Sequence, residues 1–278
     1  MDIILKNFIN SKDNKKIKDL KKIRDDKSFR NSKSLFFIEG EKIFIEAPKD
    51  MIDSIFISNT KYLEINNNPK FKTSIFNYIN EQKNENIYVV SDNIFDSVKD
   101  TINSQGIICL CKMKEQEDIK KYINKKDFII ILNNINDPGN LGTIIRTSEA
   151  FGATLIICDK KCVDLYSPKV IRATMGSIFR KNIYITYDII KTLQFLKMQN
   201  TKLYATALDS NTNYVNERFN MPLGIIFGNE ANGIDENVLN EVQNKIKINM
   251  EGNIESLNVA MSVGIIGFEI KRRFMDEK

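Results

Sequence analysis

The chain has 278 residues, 42% hydrophobic and 28% charged, with a net charge of +5 and no histidine. That length and composition suit a soluble protein of one large or two ordinary domains. The absence of histidine excludes Ser-His-Asp and Cys-His nucleophile systems, histidine-containing zinc sites and a histidine general base. No run approaches the ~20 apolar residues of a membrane span, and the N-terminus is too polar for a secretory signal, so a cytoplasmic location without membrane contact is expected. Cys109, Cys111, Cys158 and Cys162 match no common zinc or redox spacing and read as small core or surface residues, with no metal expected.

Residues 1 to 30 hold ten basic and five acidic side chains, an excess equal to the charge of the whole chain. A basic arm ahead of a balanced body points to a polyanionic partner, most simply nucleic acid. The bland reading is a solvated lysine-rich helix.

Leu35 to Ile38 reads as a buried strand that breaks at Glu39-Gly40 into a short helix stopped by Pro48. Strands over 52–58 and 87–90 follow, with a helix expected over 71–79. Ser91 or Asp92 opens a helix through Val98, and Gln105-Gly106 turns into a strand over 107–111. Residues 1–112 therefore make a small α/β domain with its basic arm, and the charged stretch 113–126 reads as a linker.

Beyond it the pattern restarts over 127–278. Phe128 to Leu132 (FIIIL) is an aliphatic run typical of a strand covered on both faces. Asp137-Pro138-Gly139-Asn140 turns the chain, with Asn140 placed to N-cap a helix from about Leu141. On that helix Leu141, Ile144, Ile145, Ser148 and Phe151 form the core stripe, and Gly142, Arg146 and Glu149 point away. A cation so near a helix N-terminus opposes the dipole, and Glu149 at i+3 is placed to hold it. Arg146 is thus either functional or a solvated surface cation. Strand 154–158, a helix opened by Ser167-Pro168, strand 183–186, helix 188–199 and strands 203–207 and 223–227 come next. A helix from Asp235, strand 245–248 and a terminal helix from about Leu257 complete the chain. Such alternation predicts a mainly parallel sheet with helices on both faces, and ligands sit beyond the carboxyl ends of such strands.

Two further polar loops lie at those ends. In FGNEANG (227–233), glycines bracket Asn229 and Glu230, so backbone amides are able to approach a ligand closely. In NMEGNIESLNVAMSVG (249–264), Gly252-Asn253 turns and Ser256 starts a helix with Leu257, Met261 and Ile265 inward. Ser256 is either that helix's N-cap or a site hydroxyl.

NDPGNLGTIIRTSEAFGA, IIFGNEANGI and INMEGNIESLNVAMSVGI together resemble the three ordered motifs of the SpoU (TrmH) family of SPOUT RNA 2′-O-ribose methyltransferases. The resemblance spans essentially the whole chain. SPKVIRATMGSIFR (167–180) is also similar to the family, and residues 21–47 resemble the start of its accessory substrate-binding domain. Asn249 departs from the proline usual in the third motif. The resemblance implies an α/β SPOUT domain with a deep trefoil knot, S-adenosylmethionine as cofactor and a homodimer formed through the knot domain. It places cofactor contacts at Leu208, Phe227, Gly228, Asn229, Ile248, Met250 and Leu257. The catalytic set falls on Asn140, Arg146, Glu230, Ser256 and Asn258. The implied reaction is methyl transfer to a ribose 2′-hydroxyl, with large-subunit ribosomal RNA favoured over transfer RNA by the accessory domain. A guanidinium is very hard to deprotonate, so Arg146 is expected to stabilise the developing alkoxide or a phosphate, with Glu230 orienting the arginine or a water. The rivals are a non-catalytic RNA-binding or ribosome-assembly factor with a relict knot and a nucleotide hydrolase, the latter lacking a P-loop or metal-carboxylate pattern.

Overall fold

The computed structural model describes residues 7–67, 86–252 and 254–275; the helix expected over 71–79 lies outside them. Contacts divide the chain into two compact units, Met1–Lys114 with Tyr166–Phe179, and Glu115–Leu165 with Arg180–Lys278. Among the described residues no helix is long and apolar enough to cross a membrane.

In the first unit, strands β1 (Phe8–Ile9), β2 (Leu35–Glu39), β3 (Ile52–Ser58), β4 (Ile87–Val90) and β5 (Ile107–Lys112) form a sheet in the order β1-β4-β3-β5-β2. β1 and β3 flank β4 in parallel, whereas β5 runs antiparallel to both β3 and β2. The basic segment is not an extended arm. It folds into helices α1 (Lys15–Asp25) and α2 (Lys27–Lys33). Asn14 caps α1 by accepting from Lys16 N at 2.9 Å. Ile17, Leu20 and Ile23, spaced i, i+3, i+6, bury completely and join Phe37, Phe56 and Ile108 in the core. Asp26 ends α1 and caps α2, accepting from Ser28 N at 2.8 Å and Phe29 N at 3.1 Å.

The segment Tyr166–Phe179 belongs to this unit through its rings. Phe36 on β2 packs against Tyr166 at 4.9 Å and Phe179 at 6.0 Å between centroids. Ser167 caps the helix Pro168–Thr174, as its sequence predicts. Arg172 on that helix pairs with Asp100.

In the second unit, β6 (Phe128–Leu132), β7 (Leu155–Asp159), β8 (Ile183–Thr186), β9 (Lys202–Thr206), β10 (Leu223–Phe227) and β11 (Asn244–Ile246) form one sheet. Its order is β11-β9-β10-β6-β7-β8, and every neighbouring pair is parallel. From β6 the chain winds outward through β7 to β8, then returns to place β10 on the other side of β6. The chain thus reverses its winding between β6 and β10, and a crevice opens beyond their carboxyl ends. The charged 113–126 stretch is structured in part: Ile119–Tyr122 makes a helical turn, and Ile119, Tyr122 and Ile123 pack on the core around Ile129 and Leu155.

Helix α3 (Pro138–Phe151) follows β6, and α4 (Val259–Met275) closes the unit against it. Their approach is close because position 267 is glycine: a Cβ there would lie 2.3 Å from the Phe151 ring. All four cysteines are buried thiols. Burial pushes the Cys162 thiol up to about 11 and holds Cys109 and Cys158 well above the ordinary range, so they are inert core groups at neutral pH.

Candidate active site at the carboxyl end of the parallel sheet

The first loop departs from its sequence reading in a way that matters. Asp137, not Asn140, caps α3, its Oδ1 accepting from Asn140 N at 2.8 Å. Pro138 is the signal for this, because proline favours the first helical position and so makes its predecessor the cap. Asn140 is left in the first turn with its side chain available. Its Nδ2 donates to Glu230 Oε1 at 2.7 Å, and its Oδ1 accepts from Asn258 Nδ2 at 2.9 Å.

Each end of this amide relay is fixed independently. Asn258 caps α4, its Oδ1 accepting from Ala260 N at 2.9 Å and Met261 N at 3.3 Å. The helix therefore starts at Val259, two residues after the expected start. Ser256 lies outside it, exposed, and is not its cap. Leu257 is half-buried rather than core, and Met261 is 61% exposed; the inward face of α4 is Val259, Val263, Ile266 and Ile270. The shift has a simple cause: Asn258 offers the capping oxygen, and starting at Val259 turns the more apolar stripe inward.

FGNEANG closes on itself. Asn229 N donates to Gly233 O at 2.8 Å and Gly233 N returns the bond to Asn229 O at 2.9 Å. The Asn229 side chain is spent on the loop, accepting from Ala231 N and Asn232 N and donating to Asn134 O at 2.9 Å. A Cβ at Gly228 would lie 2.2 Å from the Gly233 carbonyl carbon, so this loop admits only glycine there.

These ends enclose a cleft of about 380 Å³, within the range of small-molecule sites. Every residue assigned to the cofactor by resemblance lines it: Leu208, Phe227, Gly228, Asn229, Ile248, Met250 and Leu257. Glu230 and Ser256 stand on the same wall, and Asn140 and Asn258 join through the relay. The sequence reading missed Thr206, Ala207 and Lys247, which also line the cleft. Their signal was present, since they sit at the expected ends of β9 and β11.

Arg146 is not drawn into this group. It is exposed on α3, with no hydrogen-bond or ion-pair partner among the described residues. Glu149 does not support it; that carboxylate pairs with Arg180 at 2.5 Å instead. Glu230 does not orient it either, being bonded to Asn140. Gly142, expected to face outward, is buried beside Leu141. The physical reason for the Glu149 outcome is geometric: Arg180 reaches both carboxylate oxygens in a fork, which outcompetes a flexible i, i+3 contact.

Residues 127–268 match the model of the SpoU rRNA Methylase family, and residues 14–109 match an MRM3-like substrate binding domain. The 23S rRNA (guanosine(2553)-2′-O)-methyltransferase RlmP of Bacillus subtilis is 29% identical over 184 residues, covering 66% of this chain and 72% of that protein. An AdoMet-bound rRNA methyltransferase from Sinorhizobium meliloti superposes with a TM-score of 0.79 at 25% identity, over 96% of this chain and 98% of that one. A solved RNA 2′-O ribose methyltransferase gives 0.78 at 25% identity, over 96% and 99%.

Proposed function

The chain belongs to the SpoU rRNA methylase family, and from that premise we propose that it transfers a methyl group from S-adenosylmethionine to a ribose 2′-hydroxyl of large-subunit ribosomal RNA. The observation that carries the reading to this chain is the Asn258–Asn140–Glu230 relay, which sets hydrogen-bonding groups at the mouth of a cleft able to hold the cofactor.

The cleft fits that cofactor in its chemistry. Leu208, Phe227, Ile248 and Leu257 offer apolar walls to a purine, and the glycine at 228 lets main chain approach it. Bound there, S-adenosylmethionine supplies a methyl group already activated by its sulfonium. The protein's task is then alignment, which is able to supply roughly 7–11 kcal/mol of the barrier.

The relay fixes one ribose contact. With Asn140 Oδ1 accepting and Nδ2 donating, its amide has a single orientation, and Glu230 Oε1 is held by it. Oε2 of Glu230 has no hydrogen-bond partner among the described residues and accepts the hydrogen of the attacking hydroxyl or of a bridging water. Ser256, exposed on the cleft wall, supplies a second hydroxyl contact. Arg146, exposed and outside the relay, is read as a contact for a phosphate of the bound RNA rather than as the base.

The reading extends to a homodimer and to the trefoil knot of the family. Met261 and Phe268, 61% and 48% exposed, stand seven residues apart on one stripe of α4, an apolar face suited to a second copy. The decisive experiment is calorimetry with S-adenosylmethionine followed by mapping of 2′-O-methyl sites in ribosomal and transfer RNA incubated with the protein. Cofactor binding with a new methyl on large-subunit RNA supports the reading; methylation of transfer RNA alone moves the substrate; no binding and no transfer overturns it.

A further inference from the structure

The first unit carries a second feature that the methyl-transfer cleft does not use. α1 buries Ile17, Leu20 and Ile23, which turns Lys15, Lys18 and Lys22 outward at i, i+3 and i+7, a stripe about 10 Å long. Lys15 and Lys22 carry no ion pair among the described residues. Among the described residues Lys18 meets Asp13 alone, 90% exposed in its side chain, a pair of little energetic consequence. The stripe leads to Phe29 at the start of α2, half-buried, with the Lys22 ammonium 5.2 Å and the Lys33 ammonium 5.6 Å from its ring centroid.

This surface is mounted rigidly. Arg24 donates to the carbonyls of Val98 and Lys99 at 2.9 and 2.8 Å, tying α1 to the end of the helix Asp92–Val98. Buried Arg30 on α2 donates to the carbonyls of Ile23 and Arg24, its cation placed where the dipole of α1 favours one. The angle between the two helices is thus held by charge-assisted bonds, and the stripe and ring keep a fixed spacing.

We infer that this α1–α2 face is a docking surface for an unpaired RNA strand, with Lys15, Lys18 and Lys22 against successive phosphates and Phe29 receiving a base between Lys22 and Lys33. The chemistry of the surface favours that partner: a row of ammoniums neutralises a phosphate backbone, and the aromatic ring beside it stacks a base of whatever sequence. The inference rests on the reading of the protein as an RNA-modifying enzyme and assigns it a contact in the first unit.

The test is fluorescence anisotropy of the full chain with a labelled single-stranded oligouridine across a salt series, with calorimetry of S-adenosylmethionine in parallel. A Lys15→Ala, Lys18→Ala, Lys22→Ala triple variant is expected to bind the RNA about tenfold or more weakly and to lower the slope of log Kd against log salt by about 2, since each phosphate contact to a single strand contributes about 0.7. Phe29→Leu is expected to weaken binding about tenfold, and Phe29→Tyr, which keeps the ring, to restore it. Because Phe29 also packs on the core, the lysine variant stands as the independent arm. Cofactor affinity is expected to be unchanged in all of them. Unchanged RNA affinity and slope in the triple variant overturn the inference, as does a wild-type chain that prefers phosphatidylserine vesicles to RNA. Lysine-dependent RNA binding by a protein that transfers no methyl group would uphold this surface and sink the proposed function instead.

Discussion

Asn140 and Glu230 stand ninety positions apart in sequence, yet the Asn140 amide donates to the Glu230 carboxylate at 2.7 Å. The contact joins the loops after β6 and β10, the two neighbouring strands between which the sheet reverses its winding. It therefore reports directly on whether both loops are in their working positions.

Glu230→Gln removes the charge and keeps the shape. Under the proposed mechanism it lowers kcat by about 10²-fold, the size typical of losing one general-base or electrostatic contact, with cofactor affinity unaltered. Transfer of labelled methyl groups under single-turnover conditions reads this out. Wild-type turnover in the variant would remove Glu230 from the catalytic set.

Asp137→Ala and Asn140→Ala separate a cap from a site residue. Losing the Asp137 cap destabilises α3 by about 1 kcal/mol, visible as a lower urea midpoint. Asn140→Ala leaves the cap intact, so stability changes by about 0.5 kcal/mol or less while turnover falls. The reverse pattern would restore Asn140 to the capping role its sequence position suggested.

Gly228→Ala places a methyl group 2.2 Å from the Gly233 carbonyl carbon, and the loop has to open to admit it. The expected cost is about 1–3 kcal/mol in stability, together with a loss of cofactor affinity of at least about tenfold. Thermal denaturation and calorimetry on the same preparation test both halves.

Glu269 accepts from Arg272 and Arg273, and these hydrogen bonds hold its carboxyl at about 2 against a usual 4.5. Arg273 in turn donates to the carbonyl of Val215 at 2.7 Å and sits over the Phe219 ring at 5.3 Å. A depressed carboxylate stabilises the fold fully above its unfolded value and loses that contribution as pH falls through its folded one. Melting temperatures of wild type and Glu269→Gln should therefore differ most above pH 4.5 and converge toward pH 2. A constant gap across that window would show that the pair contributes through packing alone.

Phe268→Glu puts a charge on the exposed apolar stripe of α4. If that stripe seats a second copy, light scattering will show the wild type as a dimer and the variant as a monomer. Identical masses would assign the stripe another role.

Local chemistry made most elements legible in the sequence. FIIIL could only be a covered strand, Ser167-Pro168 opened its helix as read, and alternating strands and helices led to the parallel sheet that positions the cleft. The loops were legible as small, polar strand ends, and all the cofactor residues assigned by resemblance line one cleft. What sequence alone could not decide was competition among partners. Asn140 lost the cap to Asp137, Glu149 went to Arg180, and α4 took its cap from Asn258 rather than Ser256. The two caps were settled between neighbours, but where Asn140 and Glu149 then bond depends on which donor or acceptor arrives from a distant part of the chain. Helix periodicity sees only neighbours within a few residues, whereas a carboxylate or an amide binds whichever partner the tertiary fold brings within about 3 Å.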